Sequence, residues 1–441
     1  MSTYIKQKRH KETSVLSYNI PIILLSVLIL VTFLKPDMSN ISGPALAVAF
    51  VAFFFMGYHE FVFAAIITAN DALGTIFMGQ VSFQYLLLAL AVIKILQSRS
   101  ISKRRWLYLF VSAYFLIQLI LVESVSNKGF INASSYTIAI IAMSLDTDDK
   151  TLSRFLEGVA IIVVAISIHA AITGGVKFYE FSEYKDGASE HFLRRGILGT
   201  GSGNPNFSAF LLNIGLIALW HFASWNILIR LLCSLPILYA FILTNSLSGL
   251  FALLFITILS ILLQQDKNSK IGKRIFIVCL VVLILIGLLG VYSSLPSNLH
   301  IKQLDNYLLR IENRLSFAHN GEWNSVTTNR SHLATRYINY IFRGQNFVRL
   351  LFGGNPLIVP SVSGAIAHNN YIGLLLQIGV VGTLIFLIVV IKRLFSVWKQ
   401  PDMPYRKGRI LLKVFCMFAS FGISLYGNAL WGFWMMSLLL L

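Results

Sequence analysis

The chain has 441 residues, of which 56% are hydrophobic and only 12% are charged. Soluble globular proteins are about 45–50% apolar and about a quarter charged, so this composition excludes a soluble fold and predicts a membrane protein. The net charge of +18 has two explanations. The cations lie in short cytoplasmic loops, or some of them bind an anionic partner. Nucleic acid is excluded as that partner, because no polar stretch is long enough for a binding domain.

Apolar segments follow one another along almost the whole chain. A membrane-spanning helix needs about 20 apolar residues, or about 17 at the short end. The sequence therefore predicts an all-α fold: a polytopic transmembrane helix bundle of about 12–14 spans, with 1–441 as a single membrane domain. The first span lacks small residues for a cleavage site and is expected to be retained. The predicted spans are 17–34, 42–57, 61–78, 80–97, 106–123, 130–145, 155–173, 205–221, 226–243, 248–264, 275–293, 369–391, 410–427 and 429–441.

The positions of the cations agree with one topology. If the N-terminus is cytoplasmic, the basic short loops at 99–105, 150–154, 267–274 and 392–409 all fall on the cytoplasmic side. This is what the positive-inside rule requires.

Two long loops, 174–204 and 294–368, then fall on the outer side, and we expect both to carry amphipathic helices. The second loop holds six arginines and one lysine against three carboxylates. Arginine is suited to bidentate binding of phosphate or carboxylate, so this loop predicts an anionic partner. Its apolar residues recur at helical spacing, which predicts helices that lie on the membrane surface or form a lid.

Two acidic motifs admit alternative interpretations. The Asp-x-Asp of Asp146–Asp149 resembles a metal site of nucleotide-sugar transferases. However, it stands directly before a predicted span, where acidic residues cap a helix and favour its dipole, and we prefer that interpretation. Asn70 and Asp71 lie within a predicted span, where polar residues mark function or a break between two short helices. The three cysteines lie in apolar runs and are interpreted as core residues: Cys233, Cys279 and Cys416.

His368 closes the second long loop and is followed by Asn369 at the start of a span that contains Gly379 and Gly382. At a water boundary an imidazole exchanges protons near neutral pH, which suits a catalytic base. A histidine at a helix start is more often a cap or an interface residue, and this alternative stays open.

The first long loop ends in Arg194 and Arg195, followed by a glycine-rich stretch and then Asn204-Pro205-Asn206. The glycines permit a tight turn, and proline suits the first turn of a helix. The paired arginines either reach lipid phosphates at the membrane surface or hold a pyrophosphate.

Taken together, these segments resemble the O-antigen ligase and polymerase family over roughly residues 190–390. The resemblance lies in His368-Asn369 with the Gly-x-x-Gly step, and in the preceding loop with Asn329-Arg330 and Leu351–Gly354. The Arg195…Asn204-Pro205-Asn206 segment is similar to the family's other outer loop. The segment 243–249 stands where the family has a Ser-Arg-Gly-like element, but it lacks the arginine, and no role is carried over to it.

The resemblance implies a GT-C-like, multi-span glycosyltransferase that inverts the anomeric carbon without a metal or another cofactor. Its donor would be an undecaprenyl-pyrophosphate-linked glycan at the periplasmic face of a bacterial inner membrane, and a chain-length regulator protein is a further expected partner. His368 would match the functional histidine, and Arg195 and Arg330 the two essential arginines. Further expectations are Arg194 as an alternative to Arg195, Arg336 as a substitute for Arg330 on the same helical face, and substrate contacts from Asn204, Asn206 and Asn369.

Three functions remain in competition. A polymerase, our preferred hypothesis, transfers the growing lipid-linked chain onto a new lipid-linked repeat unit, whereas a ligase transfers the finished polymer to lipid A–core. A transporter of lipid-linked sugars would need ionisable residues near the bilayer midplane and repeated halves. The sequence shows few such residues and no repeat.

Overall fold

A computed structural model describes residues 149–173, 205–263, 271–296, 300–323, 330–354 and 368–422, together with four short strands and a few isolated positions. The described part is predominantly helical. Three of its helices are long and apolar enough to cross a membrane: Leu152–Ile172, Ile227–Thr244 and Asn370–Trp398. Most of the chain before residue 149, the last predicted span and the count of 12 to 14 spans lie outside the described residues.

The described helices begin and end close to the predicted spans between residues 150 and 293. They are α1 (Asp149–Thr173), α2 (Pro205–His221), α3 (Ile227–Thr244), α4 (Leu247–Leu262), α5 (Ile271–Ser293), α6 (Lys302–His319), α7 (Arg330–Arg343), α8 (Phe347–Phe352), α9 (Asn370–Trp398) and α10 (Arg406–Ala419).

Two antiparallel strand pairs were not expected. β1 (Thr75–Ile76) pairs with β2 (Val81–Ser82) where the predicted spans 61–78 and 80–97 meet, so the helical prediction is wrong there. β3 (Lys177–Ser182) pairs with β4 (Phe192–Ile197) in the first long loop, in place of the expected amphipathic helices. β-Branched and aromatic residues are concentrated in these strands and favour extended backbone.

Helix α2 lies at the centre of the described bundle, packed against α1, α3, α4 and α10. Nearly all of its side chains are buried, and Phe210 stacks on Phe415 of α10 with ring centroids 4.9 Å apart. A Cβ on Gly215 would lie 2.6 Å from the Cβ of Val163, so glycine is what allows α1 and α2 to approach. Close packing of this kind through small residues is typical of helices in membranes.

The second long loop contributes α6 and α7. Helix α6 packs against α3 and α4 and buries Tyr307 and Arg310. Helix α7 buries Tyr337 and Ile341 against the first turns of α9. The two helices therefore carry the loop arginines to the ends of the apolar helices.

Candidate functional site

The ends of several helices lie together at one end of the described bundle. The junction between α3 and α4, the start of α9 and the turn after α10 lie together, with α6 and α7 packed beside them. The backbone N–H of Asn370 donates to the carbonyl oxygen of Ser420 at 2.9 Å and so ties α9 to the turn after α10. The predicted span 410–427 is wrong in its bounds, because its helix begins at Arg406 and ends at Ala419, and a turn follows through Gly422.

Arg330, the first residue of α7, points its guanidinium into this junction. Nη1 donates to the carbonyl oxygen of Gly422, in the turn after α10, at 2.8 Å. Within the described part of the chain, the guanidinium has no carboxylate partner. Burial, and then the charges of Arg310 and Arg314, lower the pKa of Arg330, so the surroundings of this cation are themselves cationic.

Arg310 is only 5% exposed and anchors α6 on the junction between α3 and α4. Its Nη1 donates to the backbone carbonyl oxygen of Asn245. The nearest carboxylate on its own helix in sequence, Glu312, is exposed. Asp305 is engaged elsewhere, because its Oδ1 lies 3.0 Å from both the Tyr292 hydroxyl and the His300 imidazole. Arg310 and Arg314 both act electrostatically on Arg330, and the three residues form the arginine cluster of this junction.

His368 stands directly before α9 and beside this cluster. Its φ of 50° lies in the left-handed region, where a non-glycine residue is held at a cost of roughly 1 kcal/mol or more. Burial first, and then the charge of Arg330, lower the pKa of His368 below its usual 6.5. The imidazole is therefore neutral at pH 7 and able to accept a proton.

Asn369 fixes the start of α9. Its Oδ1 accepts hydrogen bonds from the backbone N–H groups of Tyr371 at 2.9 Å and Ile372 at 3.2 Å, and its Nδ2 donates to the carbonyl oxygen of Phe421 at 3.4 Å. This is the geometry of a helix N-cap. Asn369 therefore positions His368, and its side chain is already engaged with backbone.

A group of hydrogen-bonded polar residues also lies near Arg330. Asn206, buried at the start of α2, accepts hydrogen bonds at its Oδ1 from the hydroxyls of Ser246 at 2.7 Å and Ser248 at 3.2 Å. A Cβ added to Gly422 would lie 3.8 Å from the Cβ of Ser248 and 3.8 Å from Nη1 of Arg330. Ser248 and Arg330 thus both lie next to Gly422, and Asn206 accepts the hydrogen bond of the Ser248 hydroxyl.

For Arg194 and Arg195, the structure describes the backbone but not the side chains. Arg194 and Arg195 lie on β4, opposite Glu180 and Tyr179, and β4 packs against α2, α3 and α6. Their backbone is therefore close to the helix that carries Arg310, while their side chains and Asn204 lie outside the described residues.

The expectation that Arg336 shares a helical face with Arg330 is wrong. Six residues along a helix correspond to a rotation of about 240°, and Arg336 is exposed on another side of α7. It does not lie where it could replace Arg330.

The remaining motifs lie elsewhere. Asp149 falls in the first turn of α1 and pairs with Arg409 of α10, which fits the capping interpretation. Asp146, Asp148 and the Asn70-Asp71 pair lie outside the described residues. Of the cysteines, Cys416 is buried as expected, Cys233 is partly buried, and Cys279 is exposed, contrary to the expectation of a core position.

Sequence reasoning did not single out Arg310, Arg314 or Ser248. The four-residue spacing of the two arginines was a usable signal, because it places both on one side of α6. Ser248 was not a candidate, because segment 243–249 lacks the arginine of the Ser-Arg-Gly-like element and no role was carried over to it.

Comparisons of the chain with protein-family models, with curated proteins and with solved structures find no match. The function is therefore inferred from the residues of the junction itself.

Proposed function

We propose that this protein is a lipid-linked glycan polymerase, an O-antigen polymerase type of glycosyltransferase. The observation that carries the proposal is the position of Arg330: a partly buried guanidinium with cationic neighbours, no carboxylate partner among the described residues, and His368 beside it. A diphosphate leaving group and a hydroxyl nucleophile need these two kinds of side chain.

The positive charges of Arg310 and Arg314, together with partial burial, disfavour the cationic form of Arg330. An anion bound at Arg330 would offset that effect. A pyrophosphate diester carries two negative charges and several acceptor oxygens, which match forked guanidinium donors. The cluster therefore supports binding of the pyrophosphate that links a glycan to its lipid carrier.

In the proposed reaction, His368 accepts the proton of an acceptor sugar hydroxyl as its oxygen attacks the anomeric carbon of the donor. The new glycosidic bond forms while the bond from that carbon to the pyrophosphate oxygen breaks, and the pyrophosphate leaves with the electron pair. Attack opposite the leaving group inverts the anomeric carbon. Arg330 and its neighbours stabilise the developing charge, and the products are the lengthened lipid-linked chain and free lipid pyrophosphate.

The location of the site supports a substrate anchored in the bilayer. Arg330 and His368 lie at the ends of apolar helices, one of which, α9, is long enough to cross a membrane. By the charge distribution of the loops, this end faces the periplasm. A lipid-linked headgroup at the membrane surface would reach the arginines without leaving the bilayer.

Ligation of the polymer to lipid A–core uses the same base and the same arginines and differs in the acceptor. The test is deletion of the gene in its own host, followed by electrophoresis of surface polysaccharide. A single repeat unit on lipid A–core supports the polymerase. A bare core with accumulated lipid-linked polymer supports the ligase, and the absence of exported repeats supports a transporter.

Complementation assigns the residues. Wild type and Arg336→Gln should restore the polymer, whereas His368→Ala and Arg330→Gln should not, at equal protein levels in the membrane. Polymer from the double variant His368→Ala, Arg330→Gln would contradict the mechanism.

A further inference from the structure

Helix α8 meets α9 through a direct contact of backbones. The N–H of Gly354 donates to the carbonyl oxygen of Gln377 at 2.9 Å. A Cβ on Gly353 would lie 2.5 Å from the backbone nitrogen of Gly379, and a Cβ on Gly379 would lie 2.5 Å from that of Gly353. Both glycines have positive φ, 79° and 64°, and Gly379 interrupts the helical backbone of α9. Only glycine at both positions permits this joint.

The joint lies deep along α9. Gln377 and Gly379 follow the first helical residue, Asn370, by seven and nine residues, which at 1.5 Å per residue is about 10–13 Å. His368 marks the water boundary of this span in the proposed site, and half of a bilayer's hydrocarbon core measures about 15 Å. The chain between α7 and Gly354 therefore returns into the outer half of the membrane.

The exposed side chains of this segment fit that depth. On α8, Phe347 is 72% exposed and Val348 is 56% exposed, although both are apolar. Helix α7 exposes Ile338 and Phe342 on one flank.

The other exposed flank of α7 is polar. It carries Arg336, Asn339 and Arg343, which lie at about 240°, 180° and 220° around the helix from Arg330, against about 80° and 120° for Ile338 and Phe342. A helix divided in this way, with long cationic side chains beside an apolar flank, is typical of the membrane interface.

We propose that residues 336–354 form a re-entrant, phospholipid-binding segment. The exposed apolar side chains of α7 and α8 lie among acyl chains, and Arg336 and Arg343 extend toward lipid phosphates. The Gly353–Gly379 joint fixes the depth of the segment, and its hydrogen bond satisfies a carbonyl that the break in α9 would leave without a partner in lipid. This placement is independent of the reaction at Arg330.

Spin-label accessibility of the full-length protein in phospholipid nanodiscs tests the placement. Single cysteines are introduced at Val348, Phe342 and Asn339 in a background that lacks the native cysteines and keeps the wild-type Tm. All three positions are exposed, so substitution should not disturb the fold. Ile388→Cys serves as the reference for an apolar exposed position of α9, and Glu322→Cys as the reference for water.

Oxygen collects in the hydrocarbon, whereas a nickel chelate stays in water. We expect labels at Val348 and Phe342 to favour oxygen several-fold over the chelate, as at Ile388, and the label at Asn339 on the same helix to be reached by the chelate. Chelate access at Val348 equal to that at Glu322 would mean a water-filled cleft and would overturn the proposal. Protection of Val348 from both agents would mean a protein partner and would overturn it equally.

Discussion

Two arginines at the starts of two helices, one buried and one partly buried, differ in how their charge is satisfied. Arg409, at the start of α10, is 4% exposed and pairs with Asp149 of α1. Arg330, at the start of α7, donates to the carbonyl oxygen of Gly422 and is surrounded by further arginines. Arg409 is buried and Arg330 is partly buried, but only Arg409 has a carboxylate partner among the described residues.

This difference separates a structural charge from a candidate ligand site. A buried ion pair holds two helices in register, and the loss of one partner leaves the other uncompensated. A partly buried cation without an acid is unfavourable in the empty protein and becomes favourable when an anion binds. We therefore expect substitutions at Arg330 to change function and substitutions at Arg409 to change stability.

The largest expected effect is at His368. His368→Ala should lower the rate of chain joining by about 10²–10⁴-fold, the usual contribution of a positioned base. Because burial and Arg330 lower the pKa of His368, the neutral base persists as the pH falls through 6.5. The wild-type rate should therefore decline only below that pH. A rate that already falls between pH 8 and 7 would contradict the assignment, since a proton acceptor with a lowered pKa is fully neutral there.

Arg330→Gln should lower the rate by about 10²–10³-fold, as expected for the loss of one preorganised charged donor. It should leave Tm unchanged or raised, because it removes repulsion from Arg310 and Arg314. A matched variant, Arg336→Gln, removes an exposed arginine from the same helix and should leave the rate unchanged. If the two variants lose the same factor in rate, the rate depends on the total positive charge of the helix and not on the position of Arg330.

Arg409→Gln should show the opposite behaviour. Loss of its pair with Asp149, which is itself partly exposed, should destabilise the protein by about 1–3 kcal/mol. Thermal unfolding in nanodiscs should record a lower Tm, while the rate per folded molecule stays near wild type. A stable but inactive Arg409→Gln protein would remove the distinction between the two arginines.

Gly422→Ala should lower the rate less than the substitutions of His368 and Arg330. The added Cβ makes ordinary contacts at 3.8 Å, so the fold and Tm should be retained. It narrows the space between Arg330 and Ser248, and we expect a rate loss of about 10-fold, or about 1.4 kcal/mol. Gly215→Ala provides the contrast, because its Cβ would clash with Val163 and lower Tm. If Gly422→Ala keeps the wild-type rate, the space between Arg330 and Ser248 is not part of the site.

Hydropathy predicted the bounds of α2 to α5 to within a few residues, because lipid solvation favours one length and one composition for every span. Helix α2, for example, begins and ends at the predicted residues, 205 and 221. The same reasoning failed at β3 and β4. A strand is stable only when another segment of the chain returns to pair with it. Hydropathy along the sequence does not show which two segments will pair.

The candidate site was predictable in part. Arg330 was predicted because it lies in a predicted outer loop rich in arginine, and His368 because it lies at the boundary of a predicted span. The sequence did not indicate that Arg310 joins them, since burial of an arginine depends on the carbonyl of Asn245 from a distant helix end. It also did not indicate that the glycines of Leu351–Gly354 form a joint with Gly379, because close backbone approach is a property of two segments.

Titration calorimetry of inorganic pyrophosphate with the purified full-length protein in nanodiscs measures whether the arginine cluster binds an anion. Wild type and Arg336→Gln should bind with the same Kd, and Arg330→Gln should bind at least about 10-fold more weakly, a difference of about 1.4 kcal/mol. Equal affinity of Arg330→Gln and wild type would contradict the claim that this arginine cluster is an anion site.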